Sequence, residues 1–153
     1  MMIRKARVAD TERIGELVNH YAAQGQMLPR SRGQIYQSIR DFVVVEDEEG
    51  QVVGCGALAV LWEDLAEIRS LAIAEGQQGN GLGSLIVSRL LEEARELGVE
   101  RVFALTYQVA FFQRLGFHII PKETLPQKIW ADCIACLKFP NCDETAVLLH
   151  LEE

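Results

Sequence analysis

No run of about 20 apolar residues, the length a helix needs to cross a bilayer, occurs in this 153-residue chain. The start, Met-Met-Ile-Arg-Lys, lacks the apolar stretch of a signal peptide and leads into a strand-like pattern. Positive charge is also scarce: 15 Lys and Arg stand against 22 Asp and Glu, a formal net charge of −7. Binding to phosphate backbones or anionic lipid needs a positive face, so this balance argues against nucleic acid and membrane as partners. There is no internal repeat, low-complexity tract or linker, and the length suits one domain over residues 1–153, expected in the cytoplasm. Cysteine is sparse, with four in all: Cys55 in an apolar strand pattern, and Cys133, Cys136 and Cys142 near the end. Cys-x2-Cys-x5-Cys resembles metal-ligand spacing but has no evident fourth ligand. Reduced thiols and no metal are expected, with those three the only candidate metal set.

The phosphate-binding Gly-x4-Gly-Lys-Ser/Thr pattern is missing as well. What the chain does have is Gln77-Gln78-Gly79-Asn80-Gly81-Leu82-Gly83-Ser84, between an apolar run and a long amphipathic one. Three glycines in five residues let the backbone turn tightly and approach a ligand, and a helix opening there presents free N–H groups and its positive dipole end. A diphosphate is the natural guest. The loop follows four strands instead of opening a βαβ unit, which argues against a dinucleotide fold.

Along the chain, periodicity predicts a strand over 3–7, then a helix with Ile14, Leu17, Val18 and Tyr21 on one face. Ser31 is read as the cap of a second helix carrying Ile35, Ile39 and Phe42. A hairpin follows, with strands 42–46 and 52–61 around Asp47-Glu48-Glu49-Gly50. The strand 65–73 places Glu67, Arg69, Leu71 and Ile73 on one face by simple alternation. A helix from Leu82 to Gly98, a strand 101–106, a short helix 109–115 and strands 117–120 and 146–151 complete the order β-α-α-β-β-β-α-β-α-β-β. That order predicts an α/β (α+β) domain, a mixed central sheet flanked by helices, with the glycine loop at the carboxyl end of a central strand.

Gln78-Gly79-Asn80-Gly81-Leu82-Gly83 resembles the acetyl-CoA loop of the GCN5-related N-acetyltransferase (GNAT) superfamily. Phe111-Phe112-x3-Gly116-Phe117 resembles its second feature, at the expected distance downstream. Within the superfamily, Gln24-Gly25-x4-Arg30-Ser31-Arg32, Ala66-Glu67-Ile68, 102–106, 112–117 and Leu125-Pro126-x-Lys128 are similar to the acetyltransferase domain of N-acetylglutamate synthase. The amino-acid-kinase-like domain of the long forms has no counterpart here, nor has a serine between Thr106 and the Phe pair. Where many members carry a general-acid tyrosine, position 112 is Phe.

The resemblance implies acetyl transfer from acetyl-CoA, as cosubstrate, to the α-amine of an amino acid, with L-glutamate expected. Glu67 falls at the general-base position: set among apolar strand residues, it would take the proton of the substrate ammonium directly or through water. Its alternative role is an ion pair with Arg69. A backbone N–H around Leu71, Ala72 and Ile73 would polarise the thioester carbonyl. The diphosphate would sit on Gly79, Gly81, Gly83 and Ser84, with Gln78, Leu82 and Phe112 completing the cofactor site. Tyr107 is the candidate acid for the leaving thiolate. Arg30, Arg32, Arg69 and Lys128 are the candidate carboxylate ligands, because a guanidinium pairs with a carboxylate through two parallel hydrogen bonds. The rival readings are an acetyltransferase for another amino acid, a peptide N-terminus or a polyamine, and a non-catalytic acetyl-CoA sensor or partner subunit. A homodimer is left open.

Overall fold

A computed structural model describes residues 1–125 and 144–151. The sequence-predicted Lys128, Cys133, Cys136 and Cys142 lie outside the described residues. Among the described residues the elements run β1 (Met2–Lys5), α1 (Thr11–Ala22), α2 (Arg32–Gln37), β2 (Phe42–Glu46), β3 (Val52–Trp62), β4 (Leu65–Ile73), α3 (Leu82–Leu97), β5 (Arg101–Thr106), α4 (Val109–Arg114), β6 (His118–Ile120) and β7 (Thr145–His150), with short 3-10 turns between some of them. The expected order of strands and helices is reproduced. The sheet is mixed and seven-stranded, hydrogen-bonded in the order β1-β2-β3-β4-β5-β7-β6.

Two compact units divide the chain. The first holds Met1–Ala59 and Ile68–Glu93. In it β1 pairs antiparallel with β2, and β2 with β3. Its core is built from α1 and the strands: Ile14, Leu17, Val18 and Tyr21 pack with Ile35, Phe42, Val44, Val52, Cys55, Ala57 and Ala72. Arg4 ties β1 down through Asp10, at 2.8 and 3.0 Å, and Glu46, at 3.1 Å. Gly56 lets α3 lie close on β3, for a Cβ there would stand 2.7 Å from Ile86 Cγ2.

Val60–Glu67 and Ala94–Glu153 belong to the second unit. Here β4 and β5 run parallel, with Leu65 opposite Arg101, Ala66 opposite Val102 and Glu67 opposite Phe103. β5 pairs antiparallel with β7, and β7 with β6. Leu65, Phe103, Leu125, Ala146 and Leu148 form a buried cluster.

Two expectations need correction. The second helix does not carry Ile39 and Phe42: α2 stops at Gln37, Ile39–Asp41 is a 3-10 turn, and Phe42 opens β2 opposite Ala57. The Ser38 hydroxyl donates to Gln34 O at 2.8 Å and closes the helix end. Nor do Glu67, Arg69, Leu71 and Ile73 share one face. Ser70 has a φ of +57°, a left-handed kink of the kind that bulges a strand and resets its alternation. After it, the Leu71 and Ile73 side chains approach Gly56 and Gly54 beside Ile86 of α3. Before it, Arg69 lines a pocket with Ala57, and Ser70 lines the same pocket.

Candidate functional site

The stretch between β4 and α3 is built as a cradle. Gly79 and Gly81 have φ of +84° and +78°, and a Cβ at either would meet no atom within 4 Å. These glycines are therefore required by backbone conformation, not by neighbours, and the space before them is open. Leu85 N–H donates to Gly81 O at 3.1 Å, starting the ladder of α3. The N–H groups of Leu82, Gly83 and Ser84 precede that first bond, so no carbonyl of their own helix accepts from them. With the positive end of a 16-residue helix behind them, they suit a diphosphate. Leu82 itself is 4% exposed and packs inward. The Gln78 side chain faces the fold, its Nε2 donating to the Tyr21 hydroxyl at 2.7 Å. Tyr21 in turn donates to Ile73 O.

A cavity of about 200 Å³ in the first unit is lined by Arg30, Gln34, Gln37, Ser38, Asp41, Phe42, Ala57, Arg69 and Ser70. Ser31 fixes the start of the helix that lines it: its hydroxyl accepts from Gln34 N–H at 3.1 Å while its own N–H donates to Gln34 Oε1 at 2.8 Å, a reciprocal cap that starts α2. Gln34, Gln37 and Ser38 then project from one side of the helix by their spacing of three and four. Arg30 and Arg69 are thus brought together. Arg32 is not: it is exposed, and its guanidinium lies 3.9 Å from Glu12. Asp41 was not anticipated from the sequence. Burial pushes its carboxyl above the usual range, against the pull of Arg69 and Lys5.

Glu67 is 9% exposed at the end of the β4–β5 ladder. Phe112 is buried at 4% and packs edge-to-face on Phe111 and Phe117, with ring centroids 5.1 Å apart in each case. The residue aligned with the general-acid tyrosine is thus a packing element of α4. Tyr107 is 36% exposed just after β5. Among the described residues no group of three or more metal-ligating side chains assembles, and no helix is long and apolar enough to cross a membrane.

The Acetyltransferase (GNAT) family profile matches residues 14–117, which include both the glycine loop and the arginine pocket. The chain belongs to the GNAT acetyltransferase family. Among relatives of this GNAT protein, an uncharacterized N-acetyltransferase of Chlorobaculum tepidum is 46% identical, covering 97% of this chain and 96% of the relative. An amino-acid acetyltransferase of Mycobacterium tuberculosis is 45% identical, covering 76% of this chain and 67% of the relative. The structure of N-acetylglutamate synthase from Neisseria gonorrhoeae complexed with coenzyme A and N-acetyl-glutamate superposes with a TM-score of 0.89 at 27% identity, over 99% of this chain and 35% of that one. The fold and family expected from Gln78–Gly83 and Phe111–Phe117 are therefore correct.

Proposed function

We propose that this GNAT protein transfers the acetyl group of acetyl-CoA to the α-amine of L-glutamate. The observation that carries the reading is the pocket where Arg30 and Arg69 converge, in a chain whose relatives include amino-acid acetyltransferases. Two guanidinium groups suit two carboxylates.

The chemistry assigns each group one task. The acceptor amine reacts only when neutral, so Glu67, two residues before Arg69 on β4, takes its proton directly or through water. The amine nitrogen then attacks the thioester carbonyl carbon. Negative charge builds on the carbonyl oxygen, and a backbone N–H of β4 between Leu71 and Ile73 stabilises it. The C–N bond forms and the C–S bond breaks: the attacking nitrogen, positively charged after addition, sheds its extra proton to solvent, Tyr107 gives its proton to the departing coenzyme A thiolate, and the tyrosinate takes a proton back from solvent. Gly79, Gly81, Gly83 and Ser84 hold the diphosphate through their N–H groups. Buried Cys55, held as a thiol, suits a cytoplasmic enzyme.

Asp41 favours a second reading, a different amino-acid acceptor. When ionised, it leaves the pocket with one net positive charge, a match for one carboxylate and a side chain that donates a hydrogen bond to Asp41. Its raised pKa lessens that conflict with glutamate. A panel of amino acids, scored by coenzyme A release from acetyl-CoA with the purified chain, separates the two. L-glutamate should give the highest kcat/KM, and a strong preference for a mono-carboxylate acceptor would replace it.

A further inference from the structure

The last turn of α1 reaches in two directions. Asn19 brackets Arg30: Asn19 Nδ2 donates to Arg30 O at 2.9 Å, and Arg30 N–H donates to Asn19 Oδ1 at 3.0 Å. Two residues on, the Tyr21 hydroxyl donates to the carbonyl of Ile73, where β4 ends, and accepts from Gln78 Nε2 at 2.7 Å. Between them, His20 Nε2 lies 2.7 Å from Glu75 Oε1. At about 100° per residue, positions two apart on a helix project on nearly opposite sides. One turn therefore touches the segment bearing the pocket arginine and, separately, the start of the glycine loop.

These bonds fall where the chain most needs outside restraint. Arg30 sits in the irregular connection between α1 and α2, and its backbone sets where a long side chain begins. Gln78 precedes Gly79 and Gly81, whose wide conformational freedom must be given up when the loop closes on an anion. Holding both before the ligands arrive lowers the ordering cost of binding. The Tyr21 ring is 8% exposed, and burial raises its pKa, so the hydroxyl keeps the proton it donates to Ile73.

We propose that Asn19 and Tyr21 are positioning residues through which one turn of α1 sets Arg30 for the acceptor and the Gln78–Gly81 loop for the diphosphate of acetyl-CoA. Each acts through the residue it holds: Asn19 through the Arg30 backbone, Tyr21 through Ile73 and Gln78. The Asn19 arm rests on the acceptor reading above, whereas the Tyr21 arm needs only the family's cosubstrate.

The test uses the full chain, with coenzyme A titrated calorimetrically and both KM values measured. Tyr21→Phe should weaken coenzyme A roughly five- to tenfold, the effect of one or two neutral hydrogen bonds, and leave the acceptor KM nearly unchanged. Asn19→Ala should do the reverse, raising the acceptor KM by a similar factor with coenzyme A affinity intact. Gln78→Ala, at an exposed position, guards against a folding defect in the tyrosine variant. Combined with Tyr21→Phe it should weaken coenzyme A no further than the worse single variant, since both break the same Gln78–Tyr21 bond. Equal effects on both ligands, additive losses in the double variant, or lowered melting temperatures with unchanged affinities would overturn the proposal. A wild type that acetylates no amino acid would sink the acceptor reading and the Asn19 arm together, while the coenzyme A titrations still decide the Tyr21 arm.

Discussion

Gly50 and Gly81 form a matched pair for testing the cradle. Both have left-handed φ, +79° and +78°, and an added Cβ meets nothing within 4 Å at either. Gly50 lies in the hairpin turn between β2 and β3, where its N–H donates to Asp47 O at 3.0 Å. Alanine at each position brings the same left-handed penalty, about 1–2 kcal/mol for an L-residue, with no clash added. For a chain of this length that is a melting-point loss of about 2–8 °C. The two variants should therefore melt alike. They should part company in coenzyme A binding. At Gly81 the new methyl projects into the open space before the helix, and a shift of the loop to relieve strain turns its N–H groups away. Loss of one charge-assisted hydrogen bond is worth about 1.5–3 kcal/mol, so Gly81→Ala should bind coenzyme A about tenfold more weakly or worse. Isothermal titration with coenzyme A and a thermal melt on each variant measure both quantities. Gly81→Ala binding as tightly as wild type, or Gly50→Ala binding equally poorly, would refute the cradle.

Arg30→Ala should raise the KM for L-glutamate about tenfold or more, the worth of a hydrogen bond to a charged group, with the KM for acetyl-CoA unchanged in the same initial-rate series. Asp10→Asn tests the Arg4 pair. The Arg4 guanidinium holds the Asp10 carboxyl below its ordinary 3.8, so its contribution is complete above that value and is lost as pH falls through the lower folded pKa. Urea melts should show wild type more stable than the variant at neutral pH, with the gap closing below about pH 3.8. Burial pushes the Cys55 thiol up to about 12, so it stays protonated and shielded. Alkylation at pH 8 followed by peptide mapping should leave Cys55 unmodified in the folded protein and modified in urea.

Local chemistry was the legible part of the sequence. Ser31 caps the second helix as its position predicts, with Gln34 completing the box, the Asp47–Gly50 turn closes the hairpin, and Gly79 and Gly81 adopt the φ that only glycine takes without strain. Tertiary effects were not legible. A serine inside an apolar strand carries no sign of positive φ, so simple alternation ran straight through Ser70 and misplaced Leu71 and Ile73. The helical pattern of Ile35 and Ile39 continued into Phe42 because one apolar residue reads alike at a helix end and a strand start. Asp41 joined the pocket only through the 3-10 turn that follows α2. The i, i+3, i+4 set of Gln34, Gln37 and Ser38 was a usable signal that a polar face lined a cavity. Asn19 and Tyr21 gave none, since one bonds a backbone segment 11 residues away and the other a side chain 57 residues away.

The central claim is that Glu67 deprotonates an amino-acid amine for acetyl transfer. Its most direct test is the turnover of Glu67→Gln with L-glutamate and acetyl-CoA, normalised to coenzyme A binding by the same preparation. The account predicts that wild type forms N-acetyl-L-glutamate and that the variant loses roughly a hundredfold or more of kcat, the contribution of a positioned base, while binding coenzyme A as wild type does. Wild-type turnover in the variant would contradict it.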